Sequence, residues 1–299
     1  MTLVELVVAG AERLKQAGVS FGHGTGNAFD EAAWLVTWSL GLPLDALETK
    51  GKRPVTADEL ALVDALLAKR IETRKPAAYL TGEAWLLDIP FTVDERAIVP
   101  RSYIAELLVD VEESGTLDAW LSDRTRHVLD LCTGNGSLAV IAAMAYPEID
   151  VDASDVSAGA LAVARINVDR HGLGDRIALV ESDLFARLPG RYDLILCNPP
   201  YVNDESMATL PAEYQAEPRL ALAGGRDGMD LIRRIVAEAP GHMNDDAVLV
   251  VEVGHERAHF EQAFPRLECA WLETSGGDDK VVLIERAALA AAEPSLRLG

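Results

Sequence analysis

The residues best suited to chemistry stand where apolar runs give way to Asn, Asp and Gly. In "YDLILCNPPY" (Tyr192–Tyr201) a run built for burial ends in Asn198, Pro199, Pro200 and Tyr201. Proline has no backbone N–H and cannot join a central ladder, so both prolines lie beyond the strand's end. Asn198 and Tyr201 are thus carried on a rigid loop at the strand's mouth. Taken alone, this is a stiff strand-to-loop connection. Upstream, "DLCTGNGSLA" sets Gly134 and Gly136 between a strand and a helix. Asp130 stands just before that loop, Asp155 follows the next strand and Asp183 the one after. Gly134-x-Gly136-x-x-Ala139 formally matches a dinucleotide fingerprint. Its physics is generic: a tight turn, close approach of backbone to ligand, and a carboxylate able to take both ribose hydroxyls.

The elements that must position these residues follow from periodicity. Residues 1–85 read as helices. "LVELVVAGAERLKQAG" stops at Gly18, "AFDEAAWLVTWSLGL" stops near Pro43, and "TADELALVDALLAKRIETR" opens with a Thr56/Glu59 capping box and ends before Pro76. Residues 86–100, "LLDIPFTVDERAIVP", alternate around a polar turn at Asp94–Arg96, which predicts a hairpin linker. A helix over "SYIAELLVDVEES" leads into the second domain, residues 101–286. From His127 strands and helices alternate, the pattern of a mostly parallel sheet covered on both faces. "CAWLET" and "DKVVLIE" leave no room for a helix between them and predict an antiparallel strand at the edge. The Ala-rich tail, residues 287–299, reads as a frayed end.

Three features decide what the glycine loop serves. A carboxylate at Asp130 would repel a pyrophosphate, but it suits the ammonium and sulfonium of S-adenosylmethionine. Asp183, in "ESDLF", can accept from an adenine amino group while Leu184 or Phe185 packs on the ring. The fourth strand then ends in the Asn-Pro-Pro-Tyr loop. Any one of these acids could be a surface or capping residue. Together, at successive strand ends, they place a ligand where open α/β sheets bind them. The reading is an α/β class I S-adenosylmethionine-dependent methyltransferase with a Rossmann-like mixed seven-stranded sheet.

The Asn198–Tyr201 tetrapeptide resembles the signature of enzymes that methylate planar nitrogen: adenine N6, guanine N2 or the glutamine side-chain amide. Such a lone pair is delocalised into a π-system and is a poor nucleophile. The resemblance implies that the Asn198 side-chain oxygen and the Pro199 carbonyl accept the two N–H bonds. They would turn the lone pair toward the methyl and stabilise the charge that develops. Tyr201 would supply a flat face.

"EPRLALAGGRDGMDLIRRI" (Glu217–Ile235) resembles the E-P-x-x-A-L-x-G-G-x-D-G segment of the HemK-like protein-(glutamine-N5) methyltransferases. That resemblance extends over nearly the whole chain, from the helical N-terminal domain and hairpin linker to the Pro100-Arg101 loop, "DLCTGNG" and "CNPPY". "FGHGTGNAFDEAAWLV" (Phe21–Val36) and "VPRSYIAEL" look like the ribosomal protein L3 branch of that family, although Gly26 stands where Asp is expected and Tyr103 where Pro is expected. The resemblance implies methylation of a glutamine amide in L3, with release factors or a nucleic-acid base amino group as alternatives. It assigns Asn198, Pro199 and Tyr201 to catalysis, and adds Pro200 and Arg101 to substrate binding. Asp130, Cys132, Thr133, Gly134, Asn135, Gly136, Asp155, Asp183, Leu184 and Asn198 fall to the cofactor. Glu217–Asp230 is expected to pack under the Asn-Pro-Pro-Tyr loop, with Asp227 a helix cap.

Composition narrows the partners. The 299 residues carry a formal net charge of −21. Residues 1–85 hold nine basic and 11 acidic side chains, the remainder 18 and 37. So acidic a surface repels naked nucleic acid and favours a basic protein, although solubility alone would also explain it. Three dispersed cysteines (Cys132, Cys197, Cys269) suit a reduced, cytoplasmic protein without a metal cluster. The first residues lack a basic n-region, which argues against a signal peptide, and no apolar run is of membrane length. "HERAH" (His255–His259) formally matches H-E-x-x-H, but it follows a strand at a sheet edge and is set aside. His23, in "FGHGTGN", reads as structural or as a contact to the substrate protein, and Trp34 and Trp38 as core of the small domain.

Overall fold

A computed structural model describes residues 1–109 and 116–296, with side chains through Ala292. The N-terminal part holds α1 (Leu3–Gln16), α2 (Ala28–Ser39), α3 (Ala46–Lys50), α4 (Ala57–Thr73) and α5 (Ala77–Thr81). The Thr56/Glu59 capping box is formed, and a second caps α1: Glu5 N–H donates to Thr2 Oγ1 while Glu5 Oε2 accepts from Thr2 N–H. These helices enclose their own core around Leu3, Leu35, Val63 and Leu67. Trp34 is part of it. Trp38, one turn on, is 43% exposed, which corrects its assignment to the core.

The hairpin lies earlier than expected, as β1 (Glu83–Leu86) and β2 (Ile89–Thr92). Its two-residue turn is Leu87–Asp88, with φ of 51° and 60°. Positive φ at both positions is the primed geometry that matches strand twist, and Asn-Gly is its usual signal. Leu-Asp carries no such signal. Asp94–Arg96 instead forms a local turn: Asp94 Oδ1 accepts from Arg96 N–H at 3.0 Å and its carboxylate takes the Arg96 guanidinium. After it comes α6 (Ile104–Leu108); the part of the expected helix beyond Val109 falls outside the described residues.

The second part contains β3 (His127–Leu131), α7 (Ser137–Ala145), β4 (Asp150–Asp155), α8 (Ala158–Arg170), β5 (Ile177–Glu181) and β6 (Tyr192–Cys197). Two short helices follow, α9 (Asp204–Thr209) and α10 (Ala212–Gln215), then α11 (Asp230–Glu238) and β7 (Met243–Glu252). The series closes with α12 (Arg257–Ala263), β8 (Ala270–Thr274), β9 (Gly277–Glu285) and α13 (Arg286–Leu296). The seven-stranded order is β5-β4-β3-β6-β7-β9-β8. β3 to β7 run parallel, and β9 is antiparallel to both β7 and β8. The reversed strand is therefore one in from the edge, not at it as expected.

Period-two alternation splits the sheet's side chains between two cores. Val128, Leu194 and Leu196 pack against α6 and α7, while Leu129, Ile195 and Leu249 pack against α11 and α13. α13 corrects the reading of a frayed tail. Leu289 is fully buried in the second core, a contribution of about 1.5–3 kcal/mol that a loose tail would forgo. β3 pairs with β4 on one side and β6 on the other, so the chain order reverses between β3 and β6. That is the switch point where a ligand crevice opens at the carboxyl ends of the strands.

Candidate active site

Register brings the two sequence motifs to one level. Leu131 pairs with Cys197, so the glycine loop and the Asn198 loop leave adjacent strands side by side. Two cavities open there. The first is walled by Cys132 and Gly134, by Asp155 and Val156 after β4, by Asp183 and Leu184 after β5, and by Asn198 and Pro200 after β6. Ile98 from the linker, with Pro218, Leu220 and Ala221, closes it. The second is lined by Pro199, Tyr201, Arg101, Tyr103 and Tyr214, by Glu252, His255 and Glu256, and by Gly22 and Lys280. Asn198, Ile98 and Ala221 belong to both walls.

Most residues of the first cavity are held by near neighbours. Asp155 Oδ2 accepts from Gly134 N–H at 2.9 Å and Oδ1 from Ser157 N–H at 2.8 Å. Each oxygen keeps a lone pair for a ligand hydroxyl. Burial raises its pKa, partly offset by those N–H donors. Asp183 is 60% exposed as a side chain and pairs with Arg234 at 3.1 Å. Leu184 lines the cavity with φ 47°, whereas Phe185 turns away to stack on His242.

Asp130 lies behind the glycine loop and not on the cavity wall. It is fully buried; its Oδ2 accepts from Thr133 Oγ1–H at 2.5 Å and Ala139 N–H at 3.0 Å, and Oδ1 has no hydrogen-bond partner among the described residues. Burial pushes its pKa up to about 7 against the pull of those two bonds. Through these bonds Asp130 shapes the glycine loop. Thr133, Asn135 and Gly136 also sit behind the surface. Asn135 Oδ1 accepts from Ser137 N–H, and Gly136 approaches Ala164 of α8 so closely that a Cβ would come within 3.1 Å. Asn167 of α8, which sequence reading passed over, is fully buried. Its amide N–H₂ donates to the carbonyls of Asn135 and Thr92, tying the glycine loop to the hairpin.

The second cavity depends on distant partners. Asn198 is half-buried, and no described protein group hydrogen-bonds its side chain; the prolines after it are buried. Tyr201 O–H donates to Glu252 Oε1 at 3.2 Å. Glu252, at the end of β7, also accepts from Ser102 Oγ–H at 2.6 Å and Tyr103 N–H at 2.9 Å. Burial raises the Glu252 pKa despite these donors, and burial and then Glu252 raise that of Tyr201. The glycines of 224–228 pass under Tyr201: a Cβ on Gly228 would lie 2.2 Å from its carbonyl oxygen, and one on Gly254 2.4 Å from its ring. Val202 N–H donates to Leu222 O, and Gly224 N–H to Val202 O. Glu217–Asp230 thus packs against this loop. Asp227 accepts from Met229 N–H ahead of α11 and binds Arg233.

Arg101 is committed to Glu217 through two bonds, 2.6 and 2.7 Å, and lies 5.4 Å from the centroid of the Tyr214 ring. Burial opposes the Glu217 charge, but Arg101 and the neighbouring His23 overcome it and hold its pKa at about 2. His23 is buried against the Tyr214 ring at 4.3 Å. The HERAH stretch is split. His255 precedes α12 and meets Lys280 Nζ at 3.0 Å, while His259 lies on the helix beside Glu256. The two histidines therefore do not share a helix face.

The first cavity fits an S-adenosylmethionine: an apolar slot of Val156, Leu184, Leu220 and Leu231, the Asp155 carboxylate, and in its wall the Asn198 amide, without a hydrogen-bond partner among the described residues. Among the described residues no helix is long and apolar enough to cross a membrane.

Comparison with known proteins agrees. The family model "PrmC N-terminal domain" matches residues 5–82 and "Methyltransferase small domain" matches residues 111–216. A protein of Burkholderia pseudomallei named ribosomal protein uL3 glutamine methyltransferase is 52% identical over 97% of this chain and 96% of its own length. One of the same name from Neisseria meningitidis serogroup B is 46% identical over 98% and 95%. Among solved structures, the hMettl16 catalytic domain aligns with TM-score 0.50 and 13% identity over 76% of this chain and 81% of that one, a likeness of fold alone.

Proposed function

This chain belongs to the family of ribosomal protein uL3 glutamine methyltransferases, and we propose that it methylates the N5 side-chain amide of a glutamine in ribosomal protein uL3. The observation that carries the reading is Asn198: a half-buried amide, its side chain without a hydrogen-bond partner among the described residues, in the wall common to two cavities. S-adenosylmethionine, bound in the first cavity, supplies an electrophilic methyl group. Asp155 takes the ribose hydroxyls, Asp183 and Leu184 receive the adenine, and the Cys132–Gly136 loop, braced by Asp130, Thr133 and Asn135, receives the methionine end. In the second cavity the Asn198 Oδ1 and the Pro199 carbonyl accept the two N–H bonds of the glutamine amide. The lone pair is thereby turned toward the first cavity, and charge gained by the nitrogen meets acceptors already in place. Pro200 stiffens the loop. Tyr201, its O–H bound to Glu252, presents its ring at a fixed angle. Arg101 shapes the second cavity through Glu217.

Residues 1–85 act as the substrate-recognition domain, supported by Gly22 in the wall of the acceptor cavity. A net charge of −21 suits encounter with a basic ribosomal protein in the cytoplasm and disfavours direct reading of RNA. Transfer of tritiated methyl to unmodified uL3, unmodified release factor and bare ribosomal RNA tests the assignment. Label is expected on uL3. Label on release factor or RNA with none on uL3 would overturn it.

A further inference from the structure

Glu217 is a meeting point of three segments far apart in sequence. Its carboxylate, with no exposed surface, accepts from Arg101 at 2.6 and 2.7 Å and from Val99 N–H at 3.0 Å. His23 Nε2, from the α1–α2 loop, stands 3.4 Å from its Oε2. His23 is buried there, its ring packed on Tyr214, so the α1–α2 loop is seated directly against Glu217.

On one side of Glu217 the chain is anchored to the N-terminal helices. Glu213 of α10 accepts from Arg70, which has no exposed surface and also holds Glu31 and the Ser20 carbonyl. Arg74 reaches the same Glu213 oxygen at 3.3 Å. On the other side, Pro218, Leu220 and Ala221 line the donor cavity, and Ala221 and Leu222 line the acceptor cavity. Two residues further, Leu222 and Gly224 hydrogen-bond Val202, next to Tyr201. A shift of Glu217 therefore reaches the catalytic loop within a few residues.

We propose that Glu217 is a positioning residue which couples the seating of the N-terminal helices, through His23, to the geometry of the wall shared by the two cavities. The coupling rests on the contacts alone; only its kinetic readout rests on the uL3 reading. Buried ionic clusters have few alternative arrangements, because any displaced member leaves a charge unpaired. The N-terminal helices then act on the reaction itself, by fixing where the acceptor nitrogen is held relative to the donor.

The test compares Glu217→Gln, His23→Ala and the double variant by hydrogen exchange and single-turnover methyl transfer. Exchange is expected to quicken roughly tenfold or more in both 18–25 and 199–224, with 150–183 unchanged. For transfer to uL3, kcat should fall about ten- to a hundredfold for Glu217→Gln, with KM changed less. The double variant should lose little beyond Glu217→Gln. Protection of 199–224 that survives His23→Ala, or additive kinetic losses, would overturn the coupling. Should Glu217→Gln not fold, Arg101→Lys carries the test: it keeps the charge but loses the two-bond fork, and wild-type exchange and kcat would equally overturn the proposal. Because exchange needs no substrate, inactivity of the wild-type protein toward uL3 would sink the functional reading while leaving this one testable.

Discussion

The donor and acceptor halves of the site are built on different principles. The donor half is local. Its polar residues follow β3, β4, β5 and β6 in turn, with Ile98, Pro218, Leu220 and Ala221 closing the crevice over them, and its bracing bonds are mostly short-range: Asp130 to Thr133 and Ala139, Asp155 to Ser157, Asn135 to Ser137. The acceptor half is assembled from far away. Glu252 is 150 positions from Ser102, and Glu217 is 116 from Arg101. Sheet topology lays the floor of the donor crevice. Presenting an amide nitrogen to it takes buried carboxylates that pull remote segments together.

The contrast can be broken at several points. The largest effect is expected at Asn198, where the halves meet. Asn198→Ala removes one of the two preorganised acceptors and should lower single-turnover transfer by about two to three orders of magnitude, with KM for uL3 affected less. Asn198→Asp keeps an acceptor oxygen and should retain partial activity. Wild-type turnover by Asn198→Ala would reduce the loop to a rigid wall and dissolve the distinction between the halves.

On the donor side the expected loss is smaller and confined to binding. Asp155→Ala should weaken S-adenosylmethionine by about 1–3 kcal/mol in calorimetry, through the lost charge-assisted ribose bonds. Since Asp155 also holds the Gly134 and Ser157 amides, Asp155→Asn is the finer probe of charge. Unchanged donor affinity in a folded variant would remove this residue from the donor site.

The smallest effect concerns encounter. If the acidic surface steers a basic substrate, kcat/KM for uL3 should fall roughly three- to tenfold as salt rises through the screening range, while donor affinity stays level. A salt-independent rate would assign the charge to solubility.

The same contrast governs how much could be read from residues alone. Strand ends, the glycine loop and the acids after each strand are local patterns, and so are capping boxes; these were legible. The hairpin was misplaced because its turn is Leu87–Asp88, residues that give no turn signal. α13 was missed because an Ala-rich run looks featureless until Leu289 finds its pocket. Asp130 was visible as an acid ahead of the glycine loop, but its orientation behind that loop depends on Thr133 and the start of α7. Glu252 and Asn167 carry no periodic or motif signal. Their roles exist only once the chain has folded their partners into reach.

In a sheet whose strands all run one way, only the last residues of each strand arrive at the rim where ligands sit. β9 runs the other way, so its opening residues come to that rim beside the end of β7: Val253 N–H donates to the Lys280 carbonyl at 2.8 Å. Lys280, fourth in its strand, thereby stands in the acceptor wall with His255 and Asp279 at its ammonium. Reversal of a single strand installs an entry-end cation among exit-end residues. The β8–β9 turn that precedes it can change length and charge to retune the acceptor wall, while the donor crevice, which no residue of β8 or β9 lines, is left alone.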